Sequence, residues 1–344
     1  MHKPVIASWA KVAMLAAGLL VVLAPSAVAR TASELCIGRN LLPEIAKTKP
    51  ALYRRIQKRA AAVPNAEAMF WKVARRGTAP SYLLGTIHTS DPRIAKLTPR
   101  IERALLSSRV VAVEIAVMSG YAMRDYMAKN RSKFLYADSK TFKSKLTAAE
   151  FAATQAAMAQ ANIPADLTLR LRPWFAYFLM RKRSCEALRA AKGYSVLDGI
   201  IADEARNNRI PVIGLETIGE QLSAFADLSE QTQLTFLRGR LQKENLVAAE
   251  NNFETLVHMY LERKINFATP MHIELARAAG NASAPHEEFE AKIAIKRNFI
   301  MRDRSLPLLR KGRALIAVGA LHLVGNSGLV SLYRKAGYSV TPVE

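Results

Sequence analysis

Two segments near opposite ends of the chain share one pattern. An apolar run of strand character breaks at a glycine, and a histidine follows three residues later. The first reads SYLLGTIH and ends at Gly85 and His88; the second reads RALIAVGALH and ends at Gly319 and His322. Short apolar runs bounded by turn residues read as buried strands, and strand ends in α/β sheets are where ligands bind. Sixteen Gly and six His in the chain give about 0.3 chance Gly-x-x-His matches, so the matched context carries more weight than the motif.

The rest of the chain supplies the helices that such a sheet needs. MFWKVARRGTAPSYLLGTIH reads as a β-hairpin with Gly77 and Pro80 in its turn. TPRIERALLSS reads as an amphipathic helix with Ile101, Ala104 and Leu105 on one face and Thr98 as its cap. RVVAVEIA follows as a buried strand ending on Glu114. Strand–helix–strand order is the α/β signature. From about Tyr121 to Arg209 the spacing is helical, and SVLDGIIADEARNNR opens with a capping-box pattern at Ser195 and Asp198. IPVIGLET is a strand ending at Glu216, and helical stretches cover Ser229 to Lys264 and then His286 onward, interrupted or ended near Pro307. The chain closes as strand, helix, strand. The expected fold is therefore α/β: a central mixed β-sheet with surrounding helices, two strand–GxxH units in the terminal parts and a helical middle.

The N-terminal region reads differently. Lys3 and Lys11, the apolar run VAMLAAGLLVVL and the small residues at Ala27-Val28-Ala29 together read as a secretory signal over 1–29. The run is too short to span a bilayer comfortably. A mature protein beginning near Arg30 would be periplasmic or secreted. A helical arm over 30–66, bounded by Pro43, Pro50 and Pro64, precedes the main domain over 67–344. Cys36 and Cys185 are the two cysteines. In an exported chain an even pair suggests one disulfide, and two free buried thiols are the alternative. Lys and Arg number 50 against 28 acidic residues, a formal charge of +22. The basic residues are spread rather than clustered and an exported protein meets little nucleic acid, so anionic envelope polymers or an anionic membrane surface are the expected partners.

Glu114 and Glu216 hold equivalent places, each the first acid after an apolar run. Two histidines with one or two carboxylates at strand ends could hold a divalent metal, which polarises a carbonyl and lowers the pKa of bound water. Alternatively, each polar residue ends a strand and bonds locally; four in matching contexts favour the site. His258, His272 and His286 lie in helical surroundings and receive no role, and His2 goes with the signal. Trp71 and Trp174 read as packing residues.

Five segments taken together, YLLGTIHTSDPRIAKL, VVAVEI, PVIGLETIGEQLSAF, KRNFIM and IAVGALHLVGNSGLVSLYRKAGYSVTPV, resemble the TraB/GumN family from roughly Met69 to the C-terminus. That family is related to the Tiki metalloproteases and, more distantly, to erythromycin-esterase-like and ChaN-like proteins. The resemblance implies an α/β fold whose active site is built from both G-x-x-H motifs and a glutamate, here His88, His322 and Glu114. Glu216 falls in the family's GLE segment, Arg297 and Asn298 match its RN pair, and LRPWFA at Leu171 to Ala176 resembles its Pro-Trp segment. The implied activity is metal-assisted hydrolysis of a peptide or amide bond. His88, His322 and Glu114 would hold Mn, Co or Zn, one glutamate would act as base, and Arg297 would stabilise an oxyanion or pair with Glu216. The substrate would be a peptide, protein or envelope polymer. The rival expectation is a non-catalytic envelope protein that binds a glycan or a metal complex.

Overall fold

The computed structural model describes residues 36, 38–116, 120–180, 184–241, 245–280 and 282–343. The expected signal segment and its cleavage point at Ala29 lie outside them. Six strands, β1 (Phe70–Arg75), β2 (Thr78–Thr86), β3 (Val110–Val113), β4 (Val212–Gly214), β5 (Ala314–Gly319) and β6 (Ser339–Pro342), form one sheet in the order β4-β3-β5-β2-β1-β6. The first four in that order run parallel, while β1 is antiparallel to both β2 and β6. The sheet is mixed and the fold is α/β, as the sequence suggests.

Helices cover both faces of this sheet, and the strands show why. All four residues of β3 and the first five of β5 are buried. Successive side chains point to opposite faces: Leu315 and Ala317 join Val111, Val113 and Leu84, whereas Ile316 and Val318 join Ala112 and Leu83. The first face is covered by helices Pro99–Leu106 and Leu197–Asn207 through Ile101, Leu105, Leu197 and Ile201. The second is covered by helices Lys296–Lys311 and Leu329–Lys335 through Met301, Leu309, Leu329 and Tyr333. Thr98 accepts from the Ile101 amide and starts the 99–106 helix, as expected.

The helical middle builds its own core around Phe134, Phe142, Trp174 and Phe175. Trp71 and Trp174 are packing residues whose indole N–H groups donate to the Ala68 and Lys133 carbonyls. The arm helices Leu42–Thr48 and Pro50–Ala61 bury Leu52 and Ile56 against Met259 and Met271. Cys36 and Cys185 form a disulfide with their Cα atoms 4.9 Å apart. Among the described residues no helix is long and apolar enough to cross a membrane.

Two proline expectations are corrected. The hairpin turns at Arg76-Gly77, and Pro80 lies inside β2. There β2 spends two residues, Ala79 and Pro80, against the single Ala74 of β1. This is a bulge, where a missing N–H breaks no ladder. Pro307 lies within the 296–311 helix, which ends only at Gly312 with φ +69°. Met301, Ser305 and Leu309 are buried on either side of the proline, and this packing overrides the local preference.

Candidate functional site

Parallel strands end on one edge, and here that edge gathers residues from distant parts of the chain. Across β2 and β5, Gly85 stands opposite Val318 and Thr86 opposite Gly319; across β3 and β5, Val113 stands opposite Ala317. The Glu216 amide donates to the Glu114 carbonyl (2.8 Å), so the β3–β4 ladder continues past its regular end and sets the two glutamates side by side. A Cβ on Gly85 would come within 2.9 Å of Leu323 and 3.1 Å of the Ala320 backbone. The first glycine–histidine unit thus packs directly on the second.

Glu114 is buried at the centre. Its Oε1 accepts from the Gly319 amide at 2.7 Å, and its Oε2 accepts from Arg297 Nη2 at 2.7 Å and Gln221 Nε2 at 2.9 Å. Burial pushes its pKa up, but His322, Arg297, His88 and the Gly319 amide outweigh it and hold the carboxyl at about 2. Arg297 donates from Nε and Nη2 to both Glu216 oxygens (2.6–3.0 Å) and from Nη1 to the Ile293 carbonyl. Burial alone would lower its pKa; the paired glutamates raise it. Arg297 therefore bridges the two glutamates, and both Glu216 oxygens accept from it, Oε2 also accepting from Gln221 Nε2 at 3.4 Å.

The two imidazoles are each fixed from behind. His322 is buried, with Nδ1 2.6 Å from Asn298 Oδ1. The Asn298 amide donates to the Ser327 carbonyl, which turns its oxygen toward the ring. His322 Nδ1 must therefore carry the proton, and Nε2 presents a lone pair 3.8 Å from Glu114 Oε1. Burial first, then Arg297 and His88, push the His322 pKa down to about 4 against the pull of Glu114 and the Ala294 carbonyl. At neutral pH two acceptors thus face each other. His88 has 58% of its side chain exposed, and its Nδ1 lies 3.0 Å from Asp198 Oδ2. Its charge bears on both Glu114 and His322.

Asp198 overturns one expectation. The helix it was expected to help cap begins at Leu197, with Val196 rather than Ser195 at the cap position and no side-chain cap. Instead Asp198 takes the Thr86 hydroxyl (2.6 Å) and the His88 ring, because both sit at the strand end facing its first turn. Gln221 and Asp198 were missed in the sequence, where an acid in a first helical turn looks like any cap.

The loop after His88 is gripped as well. Glu186 accepts from the Thr89 and Ser90 hydroxyls and the Ser90 amide (2.7–2.9 Å), and Asp91 pairs with Arg93 and Arg189. Glu186 adjoins the disulfide-bonded Cys185. The other histidines are elsewhere: His258 lies between Glu254 and Glu262, His272 bonds the Ala268 carbonyl, and His286 sits edge-on to Phe236. Among the described residues no three His, Cys, Asp or Glu are grouped closely enough to hold a metal ion by themselves.

The chain has no match among curated proteins or among solved structures. The family model described as TraB/PrgY/gumN matches residues 69–342, a span that begins beside β1, ends with β6 and takes in both glycine–histidine units, both glutamates and the arginine between them. By that match over most of its length, the chain belongs to the TraB/PrgY/gumN family.

Proposed function

We propose that the protein is an exported metal-dependent hydrolase that cleaves a peptide or amide bond at the Glu114–His322 edge. The observation that carries this reading is the geometry of two facing acceptors: His322 Nε2 stands 3.8 Å from Glu114 Oε1, with its Nδ1 turned to Asn298 Oδ1. Such a pair calls for a cation or a doubly donating water between them. The donor set suits a divalent ion of the Mn, Co or Zn kind: an ionised carboxylate and imidazoles whose Nδ1 atoms are anchored by Asn298 and Asp198. His322 and Glu114 stand in place, and His88 would complete the set from its exposed loop. Bound there, the ion would polarise the scissile carbonyl and lower the pKa of a water.

The chain's own residues do the rest. Glu114 Oε1 and His322 Nε2 would give their free lone pairs to the ion, so the rigidity with which these two side chains are held sets where the attacking water stands. Arg297 helps to hold Glu114 ionised in a buried setting, and Glu216 positions Arg297. One observation favours the rival reading, an envelope protein that binds a glycan or metal complex without turnover: Arg297 already neutralises the carboxylates that a metal would otherwise balance. Metal analysis of the purified protein, joined to a peptide-library cleavage assay, separates the two. The hydrolase reading expects a bound divalent ion and cleavage lost on chelation; a protein that takes up no metal and cleaves nothing would sink it.

A further inference from the structure

A cleft of about 510 Å³ opens beside the site, between Tyr126, the helix Ile218–Ala226 and the π-helical turn Glu290–Ile295 that leads into the 296–311 helix. Its volume falls in the range of roughly 300–1,000 Å³ usual for ligand pockets. The Glu216–Arg297 pair lines it, and the same Arg297 Nη2 reaches Glu114. The cleft therefore ends one side chain away from the facing acceptors. Tyr126, Ile218, Ala224 and Ile300 give it apolar walls.

Among the described residues the charges around the cleft are matched within the protein, with one exception. Glu220 is held by Arg304, Lys292 by Glu288, and Asp227 lies 3.5 Å from Lys133. Lys296 lines the cleft, is exposed, and has no acidic partner among the described residues. An apolar slot beside an unmatched cation is complementary to an apolar side chain next to an anion.

We infer that this cleft is a substrate subsite, resting on the hydrolase reading above, and that it takes a peptide segment in which an apolar side chain is followed by a carboxylate. The apolar group enters between Ile218 and Ile300, and the carboxylate meets Lys296.

The test is binding of fluorescein-labelled tetrapeptides to the full, metal-stripped chain, read by anisotropy. The peptides differ only at two central positions: Leu-Asp, Leu-Lys or Ser-Asp. Leu-Asp should bind about fivefold tighter than Leu-Lys, the most a solvent-edge ion pair provides. It should bind roughly tenfold tighter than Ser-Asp, from burial of the leucine. Lys296→Glu should reverse the first preference, and Ala224→Trp, which fills the slot, should erase the second. Equal affinities for the three peptides, or preferences that both variants leave intact, would overturn the subsite. Cleavage plays no part in this readout. Peptides bound with the stated preference but left whole at every metal load would overturn the hydrolase reading alone.

Discussion

His88 and His322 share a motif but not a setting, and their substitutions should separate accordingly. His88→Ala removes a largely exposed ring and should shift unfolding free energy by no more than about 0.5 kcal/mol. His322→Ala strips a buried Asn298 oxygen of its donor and should cost on the order of 1–3 kcal/mol. Both variants should lose metal binding. Urea unfolding with metal titration checks the pair, and equal stability losses would contradict the assignment of settings. Acid should act through the same residues. With its pKa depressed from 6.5 to about 4, His322 stays neutral folded but takes a proton when unfolded. Stability therefore falls as pH drops through that window, by ~3 kcal/mol at most. Glu114, lowered from 4.5 to about 2, contributes stability above pH 4.5 that is lost below it. In metal-free protein, His322→Gln should flatten the decline between pH 6.5 and 4 in urea midpoints. At this scale the two histidines and two glutamates were legible as strand-end residues. What each one touches was not, because Asn298, Gln221 and Asp198 come from helices whose docking no local pattern encodes.

At the scale of elements, the glycines that end β2 and β5 set how closely the two units approach. Gly319 has ordinary extended backbone angles, so alanine costs no backbone strain there, yet its Cβ would stand 3.1 Å from Glu114 Oε1 and 3.5 Å from the His322 ring, and the carboxylate must give by a few tenths of an ångström. Gly319→Ala should leave thermal stability nearly unchanged and weaken metal binding by about tenfold or more, as outer contacts to metal ligands do. Calorimetric metal titration with a wild-type affinity would refute it. The strands were readable from their apolar runs, and the 99–106 helix from its face and cap. The prolines misled, because a bulge in β2 and burial along the 296–311 helix are decisions of packing rather than of propensity.

The whole molecule is held by a cross-link as well as by its cores. The disulfide closes a loop of 149 residues in sequence separation, so replacing both cysteines by serine should lower unfolding free energy by about 2–4 kcal/mol. It should also loosen the loop after His88 through Glu186, seen as faster amide exchange at Thr89 and Ser90; unchanged exchange would uncouple the cross-link from the site. The α/β class was legible from the order of segments, whereas strand neighbours were not, since β2 and β5 meet across almost the whole chain. That meeting sets an order of assembly. β5 is inserted between β3 and β2, so until β5 docks, β3 and β2 each present a bare edge and have no contact through the ladder. A chain in that state is a template for wrong pairing. The facing acceptors, one just after β3 and one just after β5, come into being only with that insertion.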